Sequence, residues 1–481
     1  MLLLLGALSL YSCQDPSRGT GIVTIDPDGG DDGYYYMYCT DASYGNEHLK
    51  ATSGVHFQGR RSKDLVNWTY VPGPMNEAPA WVAERLNAVR AGMGLDPIAE
   101  QSISYGYWAP VVRTVTVEGR TVLRMYYCIV INNSIKTGAS GGFDGSWTER
   151  AFIGMCESTD PADGVWEDKG YVVCSSSDKG PDGWARRSES YWEDAYFYYN
   201  AIDPSYYVDE NSGRHYLVYG SWHSGFALLE LDTVSGKPLV EAGDPWADSP
   251  GELSQRFGKR IATRNAASRW QGSEAPELIY KDGYYYLFMA YDALEVPYNT
   301  RVVRSENIEG PYYDITGRDC SAGQGDWFYA SQARLPAGVN GNQHSNALMM
   351  GHVRRLVWCP SSPSELDDLW PVALPERYAG LPGTKVTRDE LVGVWEHIDL
   401  GYDYGVQRSS EELSLKEDGT MAGALEGSWS YDEQSGYLTL GDSIVCVERE
   451  ADWEASPRRK TIVYAGIGSD PRVTLWGKKV R

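Results

Sequence analysis

The most restrictive feature of the sequence is a repeated aromatic hairpin. In each copy, two apolar runs flank a turn of Asp, Asn and Gly, and the second run is rich in tyrosine. Turn residues between two such runs predict a β-hairpin. The copies occupy residues 22–41, 111–130, 205–222 and 277–292. Four copies of one supersecondary unit indicate a repeat architecture rather than an unpatterned globule.

A second hairpin follows three of these copies and completes a four-stranded unit. It carries Ser beside a charged residue, then a turn, then Trp or Pro-Tyr, at residues 60–71, 156–173 and 303–315. Four strands per unit, with units roughly 70 to 90 residues apart, are typical of a β-propeller. A fifth unit would start at residues 341–358 and close near 371–380, with less strand sequence than the others. We therefore expect an all-β fold with a five-bladed β-propeller over residues 14–382; the alternative is two unrelated sandwiches.

The pattern changes after the propeller. Residues 388–481 contain short strands joined by tight turns, which predict a separate small antiparallel β-barrel domain. Within the propeller, residues 77–93 place apolar side chains at helical spacing and predict one surface helix.

Composition limits the partners. Lys and Arg number 43 and Asp and Glu 66, so the net charge is −23, and such a surface repels the phosphates of nucleic acids. Tyrosine (35) and tryptophan (17) greatly outnumber phenylalanine (8). Rings with a polar handle suit surfaces that stack on flat polar ligands.

The first residues resemble an export signal. Leu2 to Tyr11 are apolar, too short to span a bilayer and long enough for the core of a signal peptide. Leu10 to Cys13 resembles a bacterial lipobox, which predicts lipidation of Cys13. We therefore expect a signal and lipoprotein-like segment at residues 1–13 and a periplasmic or cell-surface lipoprotein. The alternative is a buried first strand.

The eight cysteines show no CxxC spacing, and most lie in strand-like runs. This pattern disfavours a metal cluster and a dense disulfide framework. Buried free thiols are expected, with one disulfide as the alternative.

Propellers bind ligands at the central channel, on the face where the inner strands begin. Three acids from three blades meeting in an aromatic-lined channel are what hydrolysis of a glycosidic bond requires, because one carboxylic acid protonates the leaving oxygen while a carboxylate activates water. The residues at these strand starts are Asp15, Trp108, Asp203, Glu274 and His344.

Three motifs carry a family resemblance. GYWAPVVR (106–113), NAIDPS (200–205) and GSEAPELIYKDGYYYLF (272–288) resemble glycoside hydrolase family 43, most closely its endo-α-1,5-L-arabinanases with a C-terminal lipocalin-like β-barrel module. The resemblance covers about residues 15–380. It implies an inverting mechanism, whose acid and base stand roughly 6.5–9.5 Å apart.

The resemblance also implies roles for individual residues. Glu274 matches the general acid, and Asp203 matches the Asp that tunes the pKa of that acid. Glu277 is the competing acid, and we expect it to face outward. Trp108 matches a sugar-stacking position, and His344 matches a channel histidine that helps to hold a metal, usually calcium, through water.

Two further positions are expected to bind substrate. Asn200 belongs to the NAIDPS motif, and Arg301 corresponds to a channel arginine of the family, with a solvated charge as its alternative role.

The base is open between two residues. Asp15 stands in an Asp-Pro pair as the family requires, but four residues separate that pair from the strand. Asp26 is nearer to the tyrosine run but lies in the hairpin turn, so it is the second choice. Lipidation of Cys13 conflicts with Asp15, because a residue so close to a membrane anchor could hardly reach the channel.

The expected function is internal cleavage of α-1,5-L-arabinan by a monomeric enzyme that acts on plant cell-wall arabinan or arabinoxylan. An exo-acting α-L-arabinofuranosidase or β-xylosidase of the same family is the near alternative. The short fifth blade and the displaced Asp15 leave a non-catalytic glycan-binding lipoprotein as another alternative, and a scaffold propeller as a third.

Overall fold

The computed structural model shows an all-β chain with a propeller-like arrangement of sheets and a closed C-terminal barrel. In the part of the chain that it describes, no helix is both long and apolar enough to cross a membrane. The described residues are 4–6, 23–25, 32–41, 54–93, 96–133, 150–176, 198–245, 249–264, 270–292, 299–321, 328–331, 353–381, 383–403, 406 and 408–480.

The first two blades are antiparallel sheets of four strands, each formed from consecutive strands. The sequence pattern predicted both central hairpins, and the structure confirms them. The first sheet contains β2 (Val23–Ile25), β3 (Tyr35–Cys39), β4 (Gly59–Ser62) and β5 (Thr69–Val71), and the second contains β6 (Tyr105–Val117), β7 (Arg120–Ile131), β8 (Arg150–Asp160) and β9 (Val165–Cys174).

The third and fourth blades exchange one short strand. β12 follows β11 in the chain but pairs with β15 of the fourth blade, and the chain then returns to the third blade. The third sheet contains β10 (Ser205–Asp209), β11 (Arg214–Tyr219), β13 (Phe226–Leu231) and β14 (Lys259–Ala262), and the fourth contains β12 (Ser221–His223), β15 (Trp270–Lys281), β16 (Tyr284–Tyr291), β17 (Asn299–Ser305) and β18 (Phe328–Ser331).

The expectation of a five-bladed propeller is wrong for the described residues, which form four blades. The remaining sheet has three strands: β1 (Leu4–Gly6), β19 (Val353–Ser362) and β20 (Glu365–Ala373). The physical reason is the shortness of the last unit, whose β20 leads directly toward the barrel. β1 lies inside the expected signal segment and pairs with β19.

The tyrosines of the repeated hairpins fill the spaces between blades. Tyr126 and Tyr206 pack together in one cluster of the second and third blades, with ring centroids 4.8 Å apart. Tyr36 and Tyr38 are buried in the cluster between the first and second blades. Burial of such large rings is a main source of stability, and it explains much of the tyrosine surplus without any ligand.

The C-terminal strands close into an eight-stranded antiparallel barrel, as the sequence predicted. β21 pairs with both β22 and β28, which closes the barrel. Its strands are β21 (Gly393–Asp399), β22 (Glu411–Leu415), β23 (Thr420–Gly423), β24 (Gly427–Asp432), β25 (Tyr437–Leu440), β26 (Ser443–Asp452), β27 (Arg459–Ile467) and β28 (Thr474–Lys479).

The barrel packs against β19 and β20 through a shared apolar cluster that includes Trp370 and Val463. At its margin, the Trp476 indole donates to the carbonyl of Ala373 over 2.7 Å. The two domains therefore share a core rather than only a linker.

Helices decorate these sheets. The predicted surface helix is present as α1 (Ala80–Met93), whose Trp81 packs edge-on against Phe152 of the second blade. The others are α2 (Pro250–Phe257), α3 (Arg388–Leu391) and the 3₁₀ turns Glu100–Ser102 and Pro161–Asp163.

Candidate active site

Two of the predicted acids meet through one serine. Asp203 precedes β10 of the third blade, and Glu274 lies near the start of β15 of the fourth; the two are 4% and 1% exposed. The Ser221 hydroxyl donates to Glu274 Oε2 over 2.9 Å, and it also lies near enough to the Asp203 carboxylate to lower the pKa of that group. The structure thus joins two acids that are 71 positions apart in the sequence.

The short strand β12 brings Ser221 to this position. It leaves the third blade, pairs Ser221 with Glu274, and returns at once. Gly220 (φ 145°) and Gly225 (φ 96°) flank it in backbone conformations that favour glycine, and a Cβ on either residue would clash with a backbone oxygen. These two glycines permit the detour.

A bulge at the Ala-Pro motif orients Glu274. The register between β15 and β16 shifts after Glu274, and Ala275 has a positive φ of 52°. Its N–H donates to Asp203 Oδ2 over 3.2 Å. Ala275 therefore links the backbone of β15, the strand that carries Glu274, to the carboxylate of Asp203.

The Trp-Ala-Pro motif of the second blade has the same geometry. Ala109 (φ 48°) follows Trp108 at a register shift, and its N–H donates to Thr40 Oγ1 over 2.8 Å. In both motifs a bulge at the alanine holds the residue before it, Glu274 or Trp108, near the start of its strand.

Electrostatics favour a proton at Asp203. Burial raises the pKa of Asp203 to about 7, although hydrogen bonds from the Ala275 N–H and the Ser221 hydroxyl oppose the shift. A serine hydroxyl carries a single proton, so it donates to one carboxylate at a time. Both contacts of Ser221 are satisfied together when one of the two carboxyls is protonated, and the pair is therefore suited to hold one proton.

Glu277, the competing acid, does not face outward as expected. Its Oε2 accepts from the Ser205 hydroxyl over 3.0 Å, and its Oε1 lies 3.8 Å from Arg113 Nη2. The outward expectation was wrong because the Glu277 side chain points toward β10 of the third blade, where Ser205 lies.

Trp108 and Asn200 also lie at the starts of inner strands. Trp108 is half-buried against the core of the second and third blades. Asn200 is buried, and its Oδ1 accepts from the Ser175 hydroxyl over 2.8 Å. Its Nδ2 has no hydrogen-bond partner among the residues that the structure describes.

Arg301 is buried in β17, two strands away from the strand of Glu274. Its Nε donates to Asn299 Oδ1 over 3.0 Å. Its guanidinium lies 3.6 Å from the ring centre of Tyr291 and 4.5 Å from that of Tyr402. The alternative of a solvated charge is therefore wrong.

Tyr402 follows β21, the first strand of the barrel, and its contact with Arg301 joins the barrel to the propeller. It hydrogen-bonds to Asp292, whose N–H donates to the Gly272 carbonyl over 2.7 Å. Arg264 reaches the same carbonyl over 2.9 Å and pairs with Asp292 Oδ1 over 2.9 Å. The barrel is thereby linked, through Asp292, to Gly272, two residues before Glu274.

Sequence reasoning missed Ser221, Arg264 and Tyr402. The two glycines around Ser-Trp-His-Ser were the available signal for Ser221. No sequence signal connected Tyr402 to the propeller, because the barrel was interpreted as a separate domain.

Three predicted residues lie outside the described part of the chain: Asp15, Asp26 and His344. Among the described residues, one group of carboxylates could hold a metal ion, formed by Glu376, Asp452 and Glu454. Lys478 Nζ lies 3.3 Å from Glu376 and 3.5 Å from Asp452, so an ammonium group already pairs with these carboxylates. It includes none of the residues that begin inner strands, and it is not the predicted calcium site.

Comparison with known proteins agrees with this architecture. Residues 26–326 match the glycosyl hydrolases family 43, and residues 375–477 match the C-terminal lipocalin-like domain of that family. The chain belongs to glycosyl hydrolase family 43. It is a glycosidase that hydrolyses O-glycosyl bonds.

Relatives of this family member include arabinan-degrading enzymes. The extracellular endo-α-(1→5)-L-arabinanase of Thermotoga petrophila is 26% identical over 472 residues, which cover 89% of this chain and 90% of the relative. The extracellular exo-α-(1→5)-L-arabinofuranosidase ArbA of Cellvibrio japonicus is 26% identical over 272 residues, covering 55% and 62%. The arabinanase resemblance is confirmed.

The fold is also that of a solved structure. The endo-1,5-α-L-arabinanase from Thermotoga petrophila RKU-1 superposes with a TM-score of 0.64 at 22% identity, covering 96% of this chain and 99% of the other. The order of propeller and barrel along the chain is therefore shared.

Proposed function

We propose that the protein is an endo-acting arabinanase that cleaves α-1,5-linked L-arabinan by inverting single displacement, with Glu274 as the general acid. The contact of one serine hydroxyl with both Glu274 and Asp203 carries this proposal. A buried carboxyl that keeps a proton near neutral pH is what protonation of a leaving glycosidic oxygen needs.

The proton transfers of the proposed reaction follow from the pair of Glu274 and Asp203. Glu274 gives its proton to the leaving sugar oxygen as the glycosidic bond breaks. The two carboxyls share one proton, and when Asp203 is the ionised partner its negative charge disfavours ionisation of Glu274 and so keeps the acid protonated between turnovers. A separate carboxylate takes a proton from water, and the resulting hydroxide forms the new bond at the anomeric carbon from the opposite face.

Asp15 is our choice for this base, and Asp26 is the second choice. The inverting geometry predicts roughly 6.5–9.5 Å between the base and the Glu274 carboxyl. Trp108 is proposed as a sugar platform, and Asn200 and Arg301 as substrate-binding residues. The buried Nδ2 of Asn200 supports its role, since a sugar hydroxyl could accept from it.

The residue proposed to help hold a calcium ion in the channel, through water, is His344. The ion would supply fixed positive charge near the sugar, and the acid and base steps belong to this chain's carboxylates.

Endo action is favoured over exo action by the relative that spans nearly the whole chain, which is named as an endo-arabinanase. The exo-acting relative supports the second candidate, an α-L-arabinofuranosidase or β-xylosidase. Early product sizes on linear arabinan decide between them, because endo cleavage releases oligomers first and exo cleavage releases single sugars.

Export is proposed for the whole protein, to the periplasm or to the cell surface as a lipoprotein anchored at Cys13, and it is proposed to act as a monomer. The relatives named as extracellular support export. The substrate would be plant arabinan or arabinoxylan.

Replacement of the acid tests the mechanism. Glu274→Gln should lower kcat on linear arabinan by about 10²–10⁴-fold, the usual contribution of a general acid. The same variant should keep most of its activity on an aryl arabinofuranoside whose leaving group needs no protonation. Glu277→Gln is the matched control, because it changes a carboxyl on the same strand that also accepts from a serine.

An equal loss on both substrates would contradict the acid role of Glu274. Binding of arabinan by the intact protein without release of any reducing end would favour the non-catalytic glycan-binding lipoprotein instead.

A further inference from the structure

Two cysteine thiols meet at the junction between the propeller and the barrel. Cys359 lies on β19 of the propeller and Cys446 on β26 of the barrel, and their sulfur atoms are 2.8 Å apart. They are 87 residues apart in the sequence. The contact therefore joins two domains rather than two neighbouring turns.

Both thiols are held by regular structure. Cys359 is opposite Trp370 in the β19–β20 pair, and Cys446 is opposite Ala465 in the β26–β27 pair. The Cys359 sulfur also lies 3.2 Å from the Ala465 carbonyl oxygen, and the Cys446 sulfur 3.5 Å from that of Trp358. Paired strands on both sides keep the two side chains directed at each other.

The pair is distinct from the other described cysteines. Cys39, Cys128, Cys156, Cys174 and Cys320 are also free, and no two of their sulfur atoms lie within hydrogen-bond distance. Spatial contact therefore selects one pair from the cysteines that the structure describes.

We propose that Cys359 and Cys446 form a disulfide bond that links the barrel to the propeller and stabilises their junction. Disulfides form in the oxidising compartments that exported proteins enter. The oxidant is a second disulfide, either of glutathione or of a thiol–disulfide oxidoreductase. Two exchange steps form the protein S–S bond and break the oxidant's S–S bond, releasing two reduced thiols and leaving the electron count balanced.

Burial sets when this reaction takes place. The hydrogen bond to Cys359, together with burial, raises the pKa of Cys446 well above its usual range. Thiolate, the reactive form, is therefore scarce once the junction has closed. Oxidation is expected while the domains are still docking, and the finished bond should resist external reductants under native conditions.

Peptide mapping tests the bond. The full chain is refolded with oxidised and reduced glutathione, denatured, alkylated without reduction and digested. We expect one linked peptide pair that contains Cys359 and Cys446 and separates on reduction, so that two fewer thiols are alkylated than in the reduced chain. Alkylation of both cysteines after refolding, or a linked pair that contains a different cysteine, would overturn the proposal.

Variants test the stabilising role. Oxidised protein should unfold at a midpoint at least about 3 °C above that of the same protein unfolded in reductant, because a bond closing a long loop restricts the unfolded chain. Cys359→Ala and Cys446→Ala should each remove this dependence on reductant, while Cys320→Ala, at another buried thiol, should keep it. If a variant fails to fold, the peptide map of the unaltered chain still decides. Equal midpoints for the linked and reduced chains would contradict the stabilising role.

Discussion

The strand β15 carries two glutamates in similar settings with different third partners. Glu274 and Glu277 each accept a hydrogen bond from a serine, Ser221 or Ser205, at 2.9 and 3.0 Å. The third group near Glu274 and Ser221 is the carboxyl of Asp203. The third group near Glu277 and Ser205 is the guanidinium of Arg113. On the proposed mechanism, the third group, rather than the serine, distinguishes the acid from its neighbour on the same strand.

The charges explain the difference. Burial raises the pKa of Glu277, and Arg113 opposes that rise because a cation favours the ionised form. The pKa of Glu277 is therefore raised on balance, but by less than it would be without Arg113. Near Glu274 stands the carboxyl of Asp203, which disfavours a second ionised carboxyl whenever it is itself ionised.

The largest expected effect comes from removing the second carboxyl. Asp203→Asn keeps the shape of the side chain but loses its charge, so the pKa of Glu274 falls and less of the acid is protonated near neutral pH. We expect kcat on linear arabinan to fall by about 10²–10³-fold. The pH–rate profile should shift to lower pH, with partial recovery of activity in acid.

Asp209→Asn is the control for this change, since Asp209 is a buried aspartate at the other end of β10, where it binds Ser212. A profile of unchanged shape in Asp203→Asn would show that Asp203 does not tune the acid.

The next effect concerns stability. Asp203 has a pKa of about 7 in the folded protein against 3.8 as its ordinary value, so the folded state binds the proton more tightly. Stability contributed by this proton is complete below about pH 4 and is lost as the pH rises through about 7, by at most about 4 kcal/mol.

Urea unfolding across this window measures the loss, and the difference between the wild type and Asp203→Asn cancels the titration of other groups. The wild type should lose more stability than the variant between about pH 4.5 and about pH 7.5. Parallel curves would mean that Asp203 is ionised throughout.

Parts of this site were predictable and parts were not. The Asp-Pro and Glu-Ala-Pro motifs identify Asp203 and Glu274 because each precedes an aromatic hairpin in the sequence. Ser221 escapes such reasoning, since it belongs by sequence to the third blade and by pairing to the fourth. A strand exchanged between sheets leaves little trace in a local pattern of apolar residues.

The same limit explains why the sequence did not predict the number of blades or the contact between the barrel and the propeller. Each hairpin was predictable from turn residues and alternation, which are local. The joining of β1 to β19, and the contact of Tyr402 with Asp292, depend on which distant segments meet. Packing decides which distant segments meet, and the spacing of residues along the chain does not show it.

A smaller effect is expected from the bridging serine. Ser221→Ala removes the hydroxyl that contacts both acids, and we expect kcat on arabinan to fall about tenfold, a typical cost of one charge-assisted hydrogen bond. The ionisation of Asp203 should move to higher pH, because the lost bond had lowered its pKa. Ser205→Ala, the equivalent change beside Glu277, should alter kcat less than about twofold. Equal losses in the two variants would show that both serines serve packing alone.

The smallest effect is expected where the cation is removed from the second pair. Arg113→Met leaves Glu277 half-buried beside Ser205 without its positive partner, so the pKa of Glu277 rises further. A raised pKa means stability is lost as the pH rises, and the variant should be destabilised by about 1 kcal/mol more at about pH 8 than at about pH 5. Its kcat should stay within about twofold of the wild type, since Arg113 pairs with Glu277 and donates to the Tyr206 carbonyl. Chemical unfolding at the two pH values measures the difference. If the variant instead lost activity as severely as Asp203→Asn, the two glutamates would act as one coupled system, and the separation of an acid from a structural carboxylate on β15 would be wrong.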